Sequence, residues 1–218
     1  MTGFTRSLSI AGVATCTAVA GAQTFNYADD FSITNGNPNG AWAYGYMNSL
    51  GGPMTAHATA ITFNDLEYWY SDFGLIVPSA FKNIGVGTTF GLLPGEAALH
   101  GGNDPGQYGV ARFSSLGLVG TVTINGSFGI GDAGNVDVHI LKNGVALFTE
   151  LGTFDAQSFS ITTSLAAGDT IDFLVGRSTI INYDTTPLDA TLVVTAPNPG
   201  TIAVFGSGAA ALLRRRRR

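Results

Sequence analysis

Trp42, Tyr44 and Tyr46 recur at every second position, so on a β-strand their rings would share one face, with Ala41, Ala43 and Gly45 on the other. A flat row of rings can stack on the apolar faces of sugars while Trp and Tyr keep polar handles, and the same row can equally fill a sandwich core. In a second cluster, Tyr68-Trp69-Tyr70, Trp69 points away from its neighbours if the chain is extended. Trp42, Tyr44, Tyr46 and Trp69 are therefore the candidate ligand-binding residues. Other chemistries find less support. Glycoside hydrolysis needs two carboxylates flanking one bond, and Glu67, Glu96 and Glu150 are the only glutamates, with the aspartates mostly beside glycine or in turns. There is no Gly-x-Ser-x-Gly elbow. His57, His100 and His139 lack metal-ligand spacing. His139 and Asp137 share one strand face and read as an exposed polar row, and His100 falls in a run of turn formers, Leu99 to Gly106. The expectation is a protein that is not an enzyme.

The elements that must hold the rings are strands. Val136, Val138 and Ile140 alternate with Asp137 and His139, the period of a strand with one wet face. Asn143-Gly144 follows, a strong hairpin signal because both residues tolerate positive φ. Thr121 to Phe128, Val145 to Thr149, Phe159 to Thr162, Thr170 to Val175 and Leu188 to Val194 complete a series of short strands punctuated by turns such as Ala167-Gly168-Asp169. With 30 glycines, no Gly-X-Y period and no convincing amphipathic helix, the chain is expected to be all-β, an antiparallel β-sandwich.

Charge narrows the partners. Between Gln23 and Ala196, four basic residues (Lys82, Arg112, Lys142 and Arg177) face all fifteen acids, a net −11. Nucleic acid is excluded as a partner, since phosphate binding needs basic residues on the body.

The two ends read as addresses. One charge in Met1–Arg6, an apolar stretch from Ser7 to Val19 and Ala20-Gly21-Ala22 form an export signal over 1–22, cleaved after an A-x-A pattern. Cleavage there removes Cys16 and leaves a chain without thiols. The body spans 23–195. The tail, 196–218, has Pro197-Asn198-Pro199, an uncharged stretch from Ile202 to Leu213, and Arg214, Arg215, Arg216, Arg217 and Arg218. A helix over Thr201–Leu213 would be about 20 Å long against a hydrocarbon layer of about 30 Å, short for a permanent anchor but compatible with transient insertion.

A Pro-x-Pro motif, a short apolar helix and a terminal arginine cluster resemble the sorting tail of PEP-CTERM proteins of Gram-negative bacteria, although Asn198 stands where that family has Glu. The resemblance implies processing by an exosortase in the inner membrane after export, then delivery to the cell surface or extracellular matrix. The body resembles jelly-roll, carbohydrate-binding-module-like domains through Val136–Gly144, Leu165–Gly176, Leu188–Thr191, Asp30-Phe31-Ser32 and Asn37–Gly45. Such domains often hold a structural calcium between first and last strands, which implies Asp30, Asp184 and Asp189 as ligands. Taken together these features lead to an exported structural or adhesive protein that binds polysaccharide. The alternatives are a secreted hydrolase acting on matrix polysaccharide and an inert surface spacer.

Overall fold

The computed structural model describes residues 21–71, 73, 76–132, 134–179 and 183–197. The export segment up to Ala20 and the sorting residues Asn198, Pro199 and Arg214 to Arg218 lie outside the described residues, and Pro197 is the last residue within them. No helix among the described residues is long and apolar enough to cross a membrane.

Residues Ala22–Ala196 form a jelly-roll β-sandwich of two antiparallel sheets. One sheet holds β1 (Ala22–Asn26), β4 (Thr59–Phe63), β5 (Leu66–Tyr70), β6 (Ser79–Asn83), β7 (Ala97–His100), β9 (Gly120–Phe128), β12 (Gln157–Leu165) and β14 (Thr186–Thr195). The other holds β2 (Trp42–Met47), β3 (Thr55–Ala56), β8 (Tyr108–Ser114), β10 (Val136–Lys142), β11 (Val145–Thr153) and β13 (Thr170–Arg177). A single helical turn, α1 (Tyr27–Asp30), follows β1. The strand order is β12-β9-β14-β7-β6-β5-β4 in the first sheet, with β1 also on β14, and β11-β10-β13-β8-β2-β3 in the second. Each strand expected from Thr121 onward is present, and Asn143 and Gly144 both take positive φ, 51° and 79°, in the β10–β11 hairpin.

Alternation builds the core. On β14, Leu188, Ala190, Leu192 and Val194 are buried while Asp189 and Thr195 are exposed. Trp42, Phe113, Phe128, Phe159 and Phe173 meet between the sheets with ring centroids 5.5 to 6.5 Å apart, in edge-on and tilted geometries that add to the area they bury.

The outer face of the six-stranded sheet is drier than its sequence implies. Met47, Val110, Leu141 and Leu174 lie beneath Met54 and Tyr108. His139, expected on a wet face, is 1% exposed, its Nδ1 is 3.0 Å from Thr149 Oγ1, and Tyr108 meets it edge-on. On the same face Arg112 grips Asp172 through two bonds of 2.6 and 2.9 Å. Asp172 is fully buried, so removing Arg112 would strand its charge at a cost of about 3–5 kcal/mol.

Candidate functional site

The other sheet carries a cleft on its outer face, across β4, β5, β6 and β7. On β5, Leu66, Tyr68 and Tyr70 turn outward and Trp69 turns into the main core. Tyr68 sits opposite Ile61 of β4 on one side and Phe81 of β6 on the other. The Tyr68 and Phe81 rings stack at 4.9 Å and 26° and form a floor supported by Ala98 and Leu92. Leu92 comes from the connection between β6 and β7, which also supplies Phe90 to the rim. The resulting cavity, about 510 Å³, is lined by the rings of Phe63, Tyr68, Phe81, Phe90 and Tyr183, by Ile76 and Val77, and by Ser79, His100, Asp132 and Thr185. That volume falls in the range of small-ligand sites, and a mostly apolar lining with a few polar groups is their usual make-up.

Three wall residues hold strained backbone. Ile76, Phe90 and Tyr183 have φ of 59°, 48° and 70°, in the left-handed region that large or β-branched side chains rarely adopt. Such conformations persist only where the surroundings impose them, and they gather at ligand sites. Phe63, Phe90 and Tyr183 are 50%, 51% and 61% exposed, so three large rings stand in water around the cavity mouth.

The polar lining is rich in acceptors. His100 Nδ1 lies 2.8 Å from the Gly101 carbonyl, which can only accept, so Nδ1 carries the proton and Nε2 is left as an acceptor. Burial pushes the His100 pKa down, against smaller upward pulls from the Gly101 bond and from the charge of Asp132, so the ring is neutral at pH 7. Behind the wall, between Tyr183 and Thr185, Asp184 is fully buried and neither carboxyl oxygen has a partner among the described residues. Burial pushes its pKa up to about 7; Arg177 pulls it down and Asp132 pushes it up. Gly134 is required beside it, because a Cβ there would come within 2.7 Å of Asp184 Oδ1.

The aromatic row read from the sequence is placed differently. Trp42 and Tyr44 are 1% and 0% exposed and belong to the inter-sheet core. Trp42 donates through Nε1 to Asp30 Oδ2 at 3.1 Å, and Tyr44 packs on Phe31 at 4.8 Å. Trp69 is also in that core and donates to the Ser32 carbonyl at 2.8 Å. These three rings are structural, and none can stack on a ligand without opening the sandwich. The reason the row misleads lies on its other face: the chain entering β3 crosses Gly45 closely, and a Cβ there would run into the Thr55 backbone carbonyl, with Met54 packed alongside. Tyr46 alone reaches the surface, half-buried against His57 at 6.0 Å and Phe73 at 5.4 Å, away from Trp42 and Tyr44. The opposition of Trp69 to its neighbours is as expected, but Tyr68, the neighbour, lines the cleft. His100 ends β7 and lines the cleft as well, where the sequence reads as a solvent-facing loop.

The three aspartates expected to share a calcium are not brought together. Asp30 accepts from the Asn26 amide and from Trp42 Nε1, both at 3.1 Å, Asp184 is sealed behind the cleft wall, and Asp189 is exposed on the outer face of β14 beside a depression of about 330 Å³. Among the described residues no three His, Cys, Asp or Glu side chains converge as a metal would need. Asp30, Asp184 and Asp189 therefore do not form one site.

No protein-family model matches the sequence, and no curated protein matches it. Solved structures give remote likenesses. CBM51 from Clostridium perfringens GH95, solved with methyl-galactose, is 11% identical over 81% of this chain and 90% of that one, with a TM-score of 0.33. CBM35 from Cellvibrio japonicus is 18% identical over 46% of this chain and 73% of that one, at 0.30. The CBM51-2 and INT domains of Clostridium perfringens ZmpB, solved with GlcNAc, are 14% identical over 46% of this chain at a TM-score of 0.35, and this chain spans only 22% of theirs. At these scores the functional reading rests on the side chains themselves.

Proposed function

We propose that this protein binds glycan in the cleft over β4 to β7, by stacking sugar rings on Phe63, Phe90 and Tyr183 above the Tyr68–Phe81 floor. The observation that carries the reading is the gathering of five rings around one cavity with acceptors at its edge, three of those rings standing half in water. Exposed aromatic surface is costly to solvate, and sugar faces cover it while their hydroxyls meet the polar groups. Export and sorting through the tail extend the same proposal: the A-x-A site after an apolar stretch, the Pro-x-Pro motif and the terminal arginines support delivery to the cell surface or matrix through an exosortase. The role there is adhesive or structural.

A hydrolase acting on matrix polysaccharide is the second reading, favoured by one observation: Asp184, with its pKa pushed up to about 7, has Asp132 close enough to raise it further. An acid held protonated near a second carboxylate is the pattern of glycoside hydrolysis. Asp184 is fully buried, however, and a proton donor must reach the leaving oxygen. Calorimetric titration against a glycan panel, with product analysis after long incubation, separates the two: binding without turnover supports the proposal. Turnover that ends in Asp184→Asn would replace it with the hydrolase.

A further inference from the structure

Resting on that reading, we infer that the cleft selects glycans bearing protonated amino sugars and rejects uronates. The donor and acceptor balance is the first reason. Asp132 is acceptor-only when ionised, and neutral His100 has its one N–H engaged by Gly101, so both call for donors, of which an ammonium carries three. The rings are the second, since the faces of Phe63, Phe90 and Tyr183 attract a cation, by about 0.5–1 kcal/mol where exposed and about 2 when desolvated. The third is the absence of any basic side chain to meet an anion. Among the described residues no Lys or Arg lines the cleft. Three of the body's four are held elsewhere: Arg112 on Asp172, Lys142 on Asp169 at 2.9 Å, and Lys82 on the Ala28 carbonyl at 2.7 Å. The fourth, Arg177, is not part of the cleft lining, and its charge lowers the Asp184 pKa. A uronate entering would leave water to face Asp132 with no partner, on a body whose net charge is −11. A polycation is drawn toward the same body, an attraction that salt weakens.

The test titrates the mature chain with three oligosaccharides of equal length: glucosamine, N-acetylglucosamine and galacturonate, at a pH that keeps the free amine protonated. The expected result is at least about tenfold tighter binding of the glucosamine oligomer than of the acetylated one, about 1.4 kcal/mol, and no binding of the uronate. In Asp132→Asn the preference collapses while both uncharged contacts and fold persist, the fold checked by unchanged unfolding. Equal binding of the free and acetylated oligomers, or tighter binding of the uronate, overturns the inference and leaves glycan binding standing. A preference that survives in Asp132→Asn overturns the role given to that carboxylate. Failure of all three to bind, at low and high salt, overturns the glycan reading and this inference with it.

Discussion

The outer face of the eight-stranded sheet divides into two halves of opposite chemistry. Over β12, β9 and β14 it is a plane of hydroxyls and amides: Ser158, Ser160, Thr162 and Ser164 beside Thr121, Thr123, Asn125 and Ser127. The register runs unbroken from Gln157↔Phe128 to Leu165↔Gly120, and neighbours bond one another, Thr123 to Thr162 at 3.3 Å and Ser160 to Asn125 at 2.8 Å. Over β4 to β7 the same backbone carries rings, and connections fold back over it to raise walls. A sheet supplies only a surface, with side chains at fixed intervals. A cavity needs loops that leave the plane, and here the left-handed Phe90, Ile76 and Tyr183 mark where they do so.

The largest expected break in this contrast is at the cleft floor. Phe81→Ala removes a ring that is 2% exposed and should destabilise the domain by about 3–5 kcal/mol, read as a lower denaturant midpoint. Next comes the buried acid behind the wall. Asp184 has a pKa of about 7 when folded and an ordinary carboxyl value when unfolded, so the folded state holds the extra proton between the two. Stability is then greatest below the unfolded value and falls as pH rises toward and through the folded one. Asp184→Asn should flatten that fall and be the more stable protein by about 1–3 kcal/mol at alkaline pH, measured by unfolding across a pH series. Phe63→Ala and Phe90→Ala remove half-exposed rings and should each leave stability within about 0.5 kcal/mol while weakening glycan binding by about tenfold. Smallest of all, Thr162→Ala on the hydroxyl half should change neither stability by more than about 0.5 kcal/mol nor binding at all.

Much of the fold was legible because period-two patterning and Gly turns are local. Val136 to Ile140 on β10, the Asn143-Gly144 hairpin and the strands through Val194 all read directly from the sequence. The site was not legible, because which face of a strand is covered depends on distant residues. Trp42 and Tyr44 share a face as their spacing requires, yet the burial of the opposite face depends on the return of the chain through Met54 and Thr55 over Gly45. One signal was present: Tyr68 and Tyr70 flank an inward Trp69 and Phe81 follows on the next strand, so two neighbouring strands each put a ring on the same outer face. His100 and Asp132 lie 32 positions apart by number and meet only through the fold.

Mapping amide chemical shifts during titration with a glucosamine oligomer distinguishes a ligand held on the aromatic half of this face from one held on the hydroxyl half. Shifts are expected at Phe63, Tyr68, Phe90, His100, Asp132, Tyr183 and their neighbours alone. Shifts centred on β9 and β12, or on Tyr46 and His57, would contradict binding in the cleft.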